Sequence, residues 1–143
     1  IEIYDLSPTA TPKLLNISTR AIVNTGNNIV IAGFILGMQD GNARIIVRGI
    51  GPSLTAFGVP DALGDPTLEL RDGNGVVLAS DNNWEDNPSQ AAELIAAGLA
   101  PTNSLEAGIA VALAPGSYTA LLADESHGAG VGLVEVYARG DGP

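Results

Sequence analysis

The stretch Asp65–Ser80 constrains this chain more than any other. Within it Thr67–Arg71 alternates, Leu68 and Leu70 against Glu69 and Arg71, which is the period of a strand with one buried face. Asp72-Gly73-Asn74-Gly75 follows, a run whose residues tolerate positive φ and which signals a tight hairpin. Val76–Ser80 is the return strand. The middle of the chain is thereby committed to antiparallel sheet. The same grammar recurs on both sides: Leu14–Val23, Ile29–Leu36, Ala43–Ile50, Leu105–Leu113, Ser117–Ala123 and Val131–Ala138 are short apolar or alternating runs. Turn clusters such as Asn24–Asn28, Gln39–Asn42 and Ala114-Pro115-Gly116 separate them.

Two of these runs carry further information. Ile29–Leu36 is apolar on both faces, which predicts a central strand or one covered by a partner. Ala43–Ile50 places Arg44 and Arg48 on one face and Ile45 and Val47 on the other. Gly51–Pro66 is a long irregular connection in which Ser53 is a candidate cap for one helical turn over Leu54 and Phe57. One helix is expected, over Pro88–Ala97: Asn87 can cap it, Pro88 suits its first position, Gln90 has capping-box spacing and Gly98 can end it. Leu94 and Ile95 are its docking residues. Together these elements predict an all-β fold, a two-sheet β-sandwich of jelly-roll or immunoglobulin-like kind with one short inserted helix.

Composition narrows the function. The 143 residues suffice for one domain with a core. Sixteen acidic residues against six basic ones give a net charge of −10, which excludes nucleic acid and anionic membrane surfaces as partners. The longest apolar run, Ile29–Met38, is too short for a membrane span. Cysteine is absent, which excludes thiol catalysis and Cys-bound zinc. No signal peptide is read, so the chain is expected to be cytosolic, processed or cut from something longer. A mean hydropathy of +0.24 is high for so acidic a chain and implies apolar surface buried against neighbours.

The two ends echo each other. Ile1-Glu2-Ile3-Tyr4 repeats the pattern of Val134-Glu135-Val136-Tyr137. A small domain rarely needs two copies of its last strand, so Ile1–Leu6 is expected to belong to the end of a preceding unit. Ser7–Pro12 lacks apolar periodicity and reads as an extended linker. The single sandwich domain is then residues 13–143.

The second half contains Asp65-Pro66-Thr67-Leu68-Glu69-Leu70, Asp72-Gly73-Asn74-Gly75, Leu78-Ala79-Ser80-Asp81-Asn82-Asn83 and Ala114-Pro115-Gly116-Ser117-Tyr118-Thr119. Over roughly Asp65–Tyr137 these phrases resemble the pre-peptidase C-terminal modules of secreted bacterial enzymes. The whole chain resembles a tandem β-sandwich repeat of large secreted bacterial proteins. That resemblance rests on Leu14–Arg20, Ile31-Ala32-Gly33-Phe34, Arg48–Leu54, Asn82-Asn83-Trp84 and Leu133–Tyr137. It implies a secreted or cell-surface setting and head-to-tail use, and it supplies no catalytic residues.

The residues themselves offer few candidates for chemistry. His127 is the only histidine, and Ser126 and Asp124 beside it along the chain do not make a triad. No catalytic residue is assigned. Asp81, Asn82, Asn83, Glu85 and Asp86 concentrate hard oxygen donors and form a candidate calcium loop, although the spacing is not that of an EF-hand. The competing reading is an Asx-rich turn that leads into the helix. Trp84 is a candidate sugar-stacking platform or an anchor for the helix. Arg20, Arg44, Arg48 and Arg71 are expected to pair with carboxylates along the strands rather than to hold an anion. Asn16 in Asn16-Ile17-Ser18, and Ser7, Thr9 and Thr11 in the linker, are candidate glycosylation positions.

One face of Leu105–Leu113 carries the small residues Gly108, Ala110 and Ala112. Either the helix or a partner subunit covers it. The expected function is an extracellular structural subunit, a homopolymer in which Ile1, Glu2, Ile3, Tyr4 and Leu6 add as a strand to a neighbour's sheet. The alternative is an accessory module of a secreted protein that binds polysaccharide or a cell surface, stabilised by calcium.

Overall fold

The computed structural model describes residues 16–26, 28–37 and 41–139. The Ile1–Leu6 strand and the Ser7, Thr9 and Thr11 positions lie outside the described residues. Among the described residues eight strands form in order: β1 (Asn16–Val23), β2 (Val30–Leu36), β3 (Ala43–Ile50), β4 (Pro66–Asp72), β5 (Val77–Asp81), β6 (Ala107–Leu113), β7 (Gly116–Asp124) and β8 (Gly130–Ala138). A 3-10 turn, Pro52–Phe57, follows β3, and a helix, α1 (Pro88–Ala96), follows β5. No helix among the described residues is long and apolar enough to cross a membrane.

The first sheet has the order β1-β8-β3-β6 and the second β2-β7-β4-β5. Every neighbouring pair is antiparallel. The first strand pairs with the last, the second with the seventh, the third with the sixth and the fourth with the fifth. This is one long hairpin rolled up on itself, and of the two expected arrangements it is the jelly roll. The Asp72–Gly75 turn is the tip of that hairpin. Asp72 Oδ1 accepts from the backbone N–H groups of Asn74 and Val76, both at 2.9 Å. Gly75 adopts φ +82°, a conformation that glycine reaches without a steric penalty.

The core lies where the inward residues of both sheets meet. Ile45 and Val47 of β3, Leu68 and Leu70 of β4, Ile109 of β6, Leu122 of β7 and Val134 of β8 are all buried there. Full burial of one such side chain contributes about 1.5–3 kcal/mol. A second cluster sits outside the first sheet, where Leu94 of α1 and Trp84 pack on Ile46 and Ala110. The helix therefore covers the small-residue face. Gly108 and Ala110 are buried beneath it and offer nothing to a second subunit, while Ala112 is exposed. A Cβ on Gly108 would lie 2.7 Å from Leu94 Cδ1 and 3.2 Å from Trp84 Cβ. The small residue is what lets the helix seat.

Several expectations are corrected. Of the two readings of β2, the central strand is ruled out, because among the described residues β2 ends the order of the second sheet and pairs with β7 alone. Ser53 does not cap the 3-10 turn; the cap position is Gly51, with no side-chain bond. Phe57 on that turn is 82% exposed, and Ile95 of α1 points outward as well. Asn87 caps α1 as expected, accepting from the N–H groups of Ser89 and Gln90. Gln90, however, turns its side chain away from the cap, and its Oε1 accepts from the Ala110 N–H at 2.9 Å.

Candidate functional site

The interior holds ionisable groups that the sequence reading did not single out. Glu106 is fully buried. Its Oε1 accepts from Gly51 N at 3.2 Å, Ser53 N at 3.0 Å and Ser53 Oγ at 2.5 Å, and its Oε2 from Asn103 N at 3.4 Å. One carboxylate thus ties the Gly51–Phe57 segment to the approach of β6. No local signal pointed to it, since Gly51 and Ser53 are remote in the chain. Asp124 plays the same part at the end of β7. Its Oδ1 accepts from Ser126 N, Ser126 Oγ and Gly128 N, and its Oδ2 from Asp65 N. Burial pushes the Asp124 carboxyl up, but these donors outweigh it and hold the pKa below its ordinary value. The Ser126 hydroxyl points at this carboxylate, and His127 is an exposed turn residue at φ +58°.

Beneath α1, Arg48 of β3 faces Glu135 of β8 across the sheet. Arg48 donates from Nε and Nη2 to Glu135 Oε2, at 2.8 and 2.5 Å. It also donates to the Leu99 carbonyl at 3.0 Å and to Tyr137 Oη at 3.1 Å. Tyr137 in turn donates to Glu135 Oε1, and its ring lies 5.2 Å from the Arg48 guanidinium carbon. Burial, together with the Glu135 charge, pushes the Tyr137 phenol up against the opposing pull of Arg48. Arg44 pairs with Glu93 at 2.6 Å, and Arg71 with Glu69. The expected pairing of arginines with strand carboxylates holds for Arg48 and Arg71, whereas the partner of Arg44 lies on α1.

The Asp81–Asp86 loop splits its oxygens. Asp81 reaches between the sheets, and its Oδ2 accepts from Gly108 N at 2.8 Å. Burial pushes the Asp81 carboxyl up, and the negative charge of Asp86 adds to this. The Asn83 amide, in the orientation that satisfies both its ends, donates to the Ser104 carbonyl at 3.2 Å. Asn82 and Asp86 border a groove over the second sheet, and Glu85 is exposed. Among the described residues no group of three His, Cys, Asp or Glu converges to hold an ion. Trp84 is 8% exposed, so its ring anchors the helix and is not available for stacking on a sugar. Asn16 is exposed at the start of β1, opposite Tyr137.

A groove of about 650 Å³ crosses the outer face of the second sheet. Its floor comes from the outward residues of two adjacent strands, Thr67, Glu69 and Arg71 of β4 and Leu121 and Ala123 of β7. Ser80 of β5 lies opposite Glu69, and Asn82 and Asp86 form a rim. Three of the candidate calcium residues, Asp81, Asn82 and Asp86, therefore border the groove. The groove was invisible in the sequence because its floor joins strands that lie far apart in the chain.

No family model matches the sequence, and no curated protein matches it. Five chains among the solved structures do. One is the 1.0 Å crystal structure of the pre-peptidase C-terminal domain of a collagenase from Bacillus anthracis. It is 13% identical, covers 85% of this chain and 89% of that one, and superposes with a TM-score of 0.52. At that identity the likeness is one of fold. It agrees with the resemblance read from Asp65–Tyr137 and extends it over most of the chain.

Proposed function

We propose that this chain is a non-catalytic accessory module of a secreted protein, and that it holds neutral polysaccharide in the groove on the second sheet. The observation that carries this reading is the division among its polar groups. Glu106, Asp124, Arg48 and Glu135 are engaged inside, each by several bonds that fix a loop or the helix. The hydroxyls, amide and guanidinium of Thr67, Ser80, Asn82 and Arg71 line the groove, beside apolar floor from Leu121 and Ala123. Glu69, Asp86 and Glu125 around it disfavour anions. A neutral, hydroxyl-rich chain suits such a surface. The fold is shared with a domain of a larger collagenase, which supports an attached role and an extracellular setting.

The test is retention on insoluble neutral polysaccharides, with released reducing ends measured in parallel. Retention without hydrolysis is expected, and Arg71→Ala with Asn82→Ala should abolish retention while the melting temperature holds. Hydrolysis lost in Asp124→Asn or His127→Ala would overturn the non-catalytic reading.

A second reading, end-to-end assembly through Ile1–Leu6, is favoured by one observation. Among the described residues β2 is an open edge, and its outward residues Ile31 and Ile35 are 63% and 74% exposed.

A further inference from the structure

We infer that the edge of β2, unpaired among the described residues, is the acceptor for the Ile1–Leu6 segment of a neighbouring copy, added as a strand. The inference rests on the assembly reading and names its docking surface. Exposed sheet edges invite pairing, and proteins guard them with charge, proline, bulges or cover. Among the described residues, three of the four sheet edges are guarded. On β6 the N–H groups of Gly108 and Ala110 are taken by the side chains of Asp81 and Gln90, and α1 lies over the strand. β5 is short, and the register of its pairing shifts at Leu70/Arg71. β1 presents Arg20 on its outer face. β2 has none of these devices. It reads Val-Ile-Ala-Gly-Phe-Ile-Leu, without charge or proline, and its register with β7 is unbroken. Among the described residues nothing covers Ile31 and Ile35, and the inward Ala32 and Leu36 are only half-buried.

Ile1–Leu6 fits this edge. In β8 the pattern it repeats places Val134 and Val136 in the core, with Glu135 and Tyr137 on the outer face. Laid against β2 in the same sense, Ile1 and Ile3 extend the core past Ala32 and Leu36, and Tyr4 packs outward beside Ile31 and Ile35. Six extended residues span about 20 Å, close to the length of β2. The segment copies a strand that closes a unit, so its sheet belongs to another copy. The contact is heterologous, and repeating it gives a linear array.

The full chain contains no cysteine, which makes cross-linking clean. Chains carrying Tyr4→Cys are mixed in turn with chains carrying Ile31→Cys, Gly33→Cys, Ile35→Cys or, as a control, Ile22→Cys on β1. Size-exclusion chromatography with light scattering follows the parent chain and the Ile31→Lys/Ile35→Lys double variant. The expected result is concentration-dependent oligomers of the parent, disulfide-linked dimers confined to the β2 mixtures, and a monomeric double variant that melts with the parent. Oligomers that survive the double substitution, or that cross-link equally to Ile22→Cys, place the acceptor elsewhere and overturn this inference while assembly stands. A parent chain that is monomeric at every concentration overturns both.

Discussion

Glu106 is the residue on which most distant segments depend. It is a buried carboxylate with four donors, drawn from Gly51, Ser53 and Asn103. Buried donors left unmatched cost about 1–3 kcal/mol each. Glu106→Ala should therefore destabilise the fold by roughly 3 kcal/mol in urea titration, and Glu106→Gln by less because one acceptor remains. Trp84 makes the opposite case, since its buried indole N–H has no protein acceptor among the described residues. Trp84→Phe should cost under about 1 kcal/mol, whereas Trp84→Ala should cost about 3–5 kcal/mol by opening a cavity. Either result leaves the groove intact, so polysaccharide retention should follow the folded fraction only.

The two shifted carboxyls act on stability in opposite directions. Asp124 sits below its ordinary value of 3.8 when folded. Its contribution is present above the unfolded pKa and is lost as pH falls through the folded one. Asp81 sits above 3.8 when folded. It opposes folding at neutral pH, and the penalty is relieved as pH falls. Asp124→Asn should lower stability at pH 7 and flatten the acid limb of the stability curve. Asp81→Asn should raise stability at pH 7, since an amide oxygen can still accept from Gly108. Melting temperatures from pH 7 down to about pH 3 check both signs.

At the scale of elements, α1 is where local and tertiary signals agree. Asn87, Pro88 and Gly98 fix its ends as their chemistry demands, and Leu94 seats it over Gly108. Asn87→Ala should cost about 1 kcal/mol. Gly108→Val should cost more, about 1–3 kcal/mol, by lifting the helix. The Asp81–Asp86 loop beside it is held by protein bonds at Asp81 and Asn83. Chelator should therefore leave the melting temperature unchanged, and a fall restored by calcium would contradict that.

The strands show what a sequence can and cannot tell. Alternation in Thr67–Arg71 and Ala43–Ile50 was legible because side-chain direction has a period of two. The status of β2 was not, because its apolar faces are the same in the middle of a sheet as at an edge. Only pairing between remote strands decides that. Buried Asp124 was equally hidden, since an Asp before Glu-Ser-His-Gly reads as a solvated turn until its four donors are seen.

At the scale of the whole molecule, the rolled hairpin explains where a working surface can lie. Rolling buries one face of each sheet against the other. It leaves two outer faces, and α1 occupies that of the first sheet. The outer face of the second sheet remains, and the groove over β4 and β7 combines polar walls with apolar floor there. Chemical-shift mapping by NMR, with a soluble oligosaccharide cut from whichever polysaccharide retains the chain, tests this most directly. The account predicts perturbations gathered at Thr67, Glu69, Arg71, Ser80, Asn82 and Leu121, with Trp84 and Glu106 unmoved. Perturbations centred instead on the Asp124–Gly128 turn or on the outer face of α1 would contradict it.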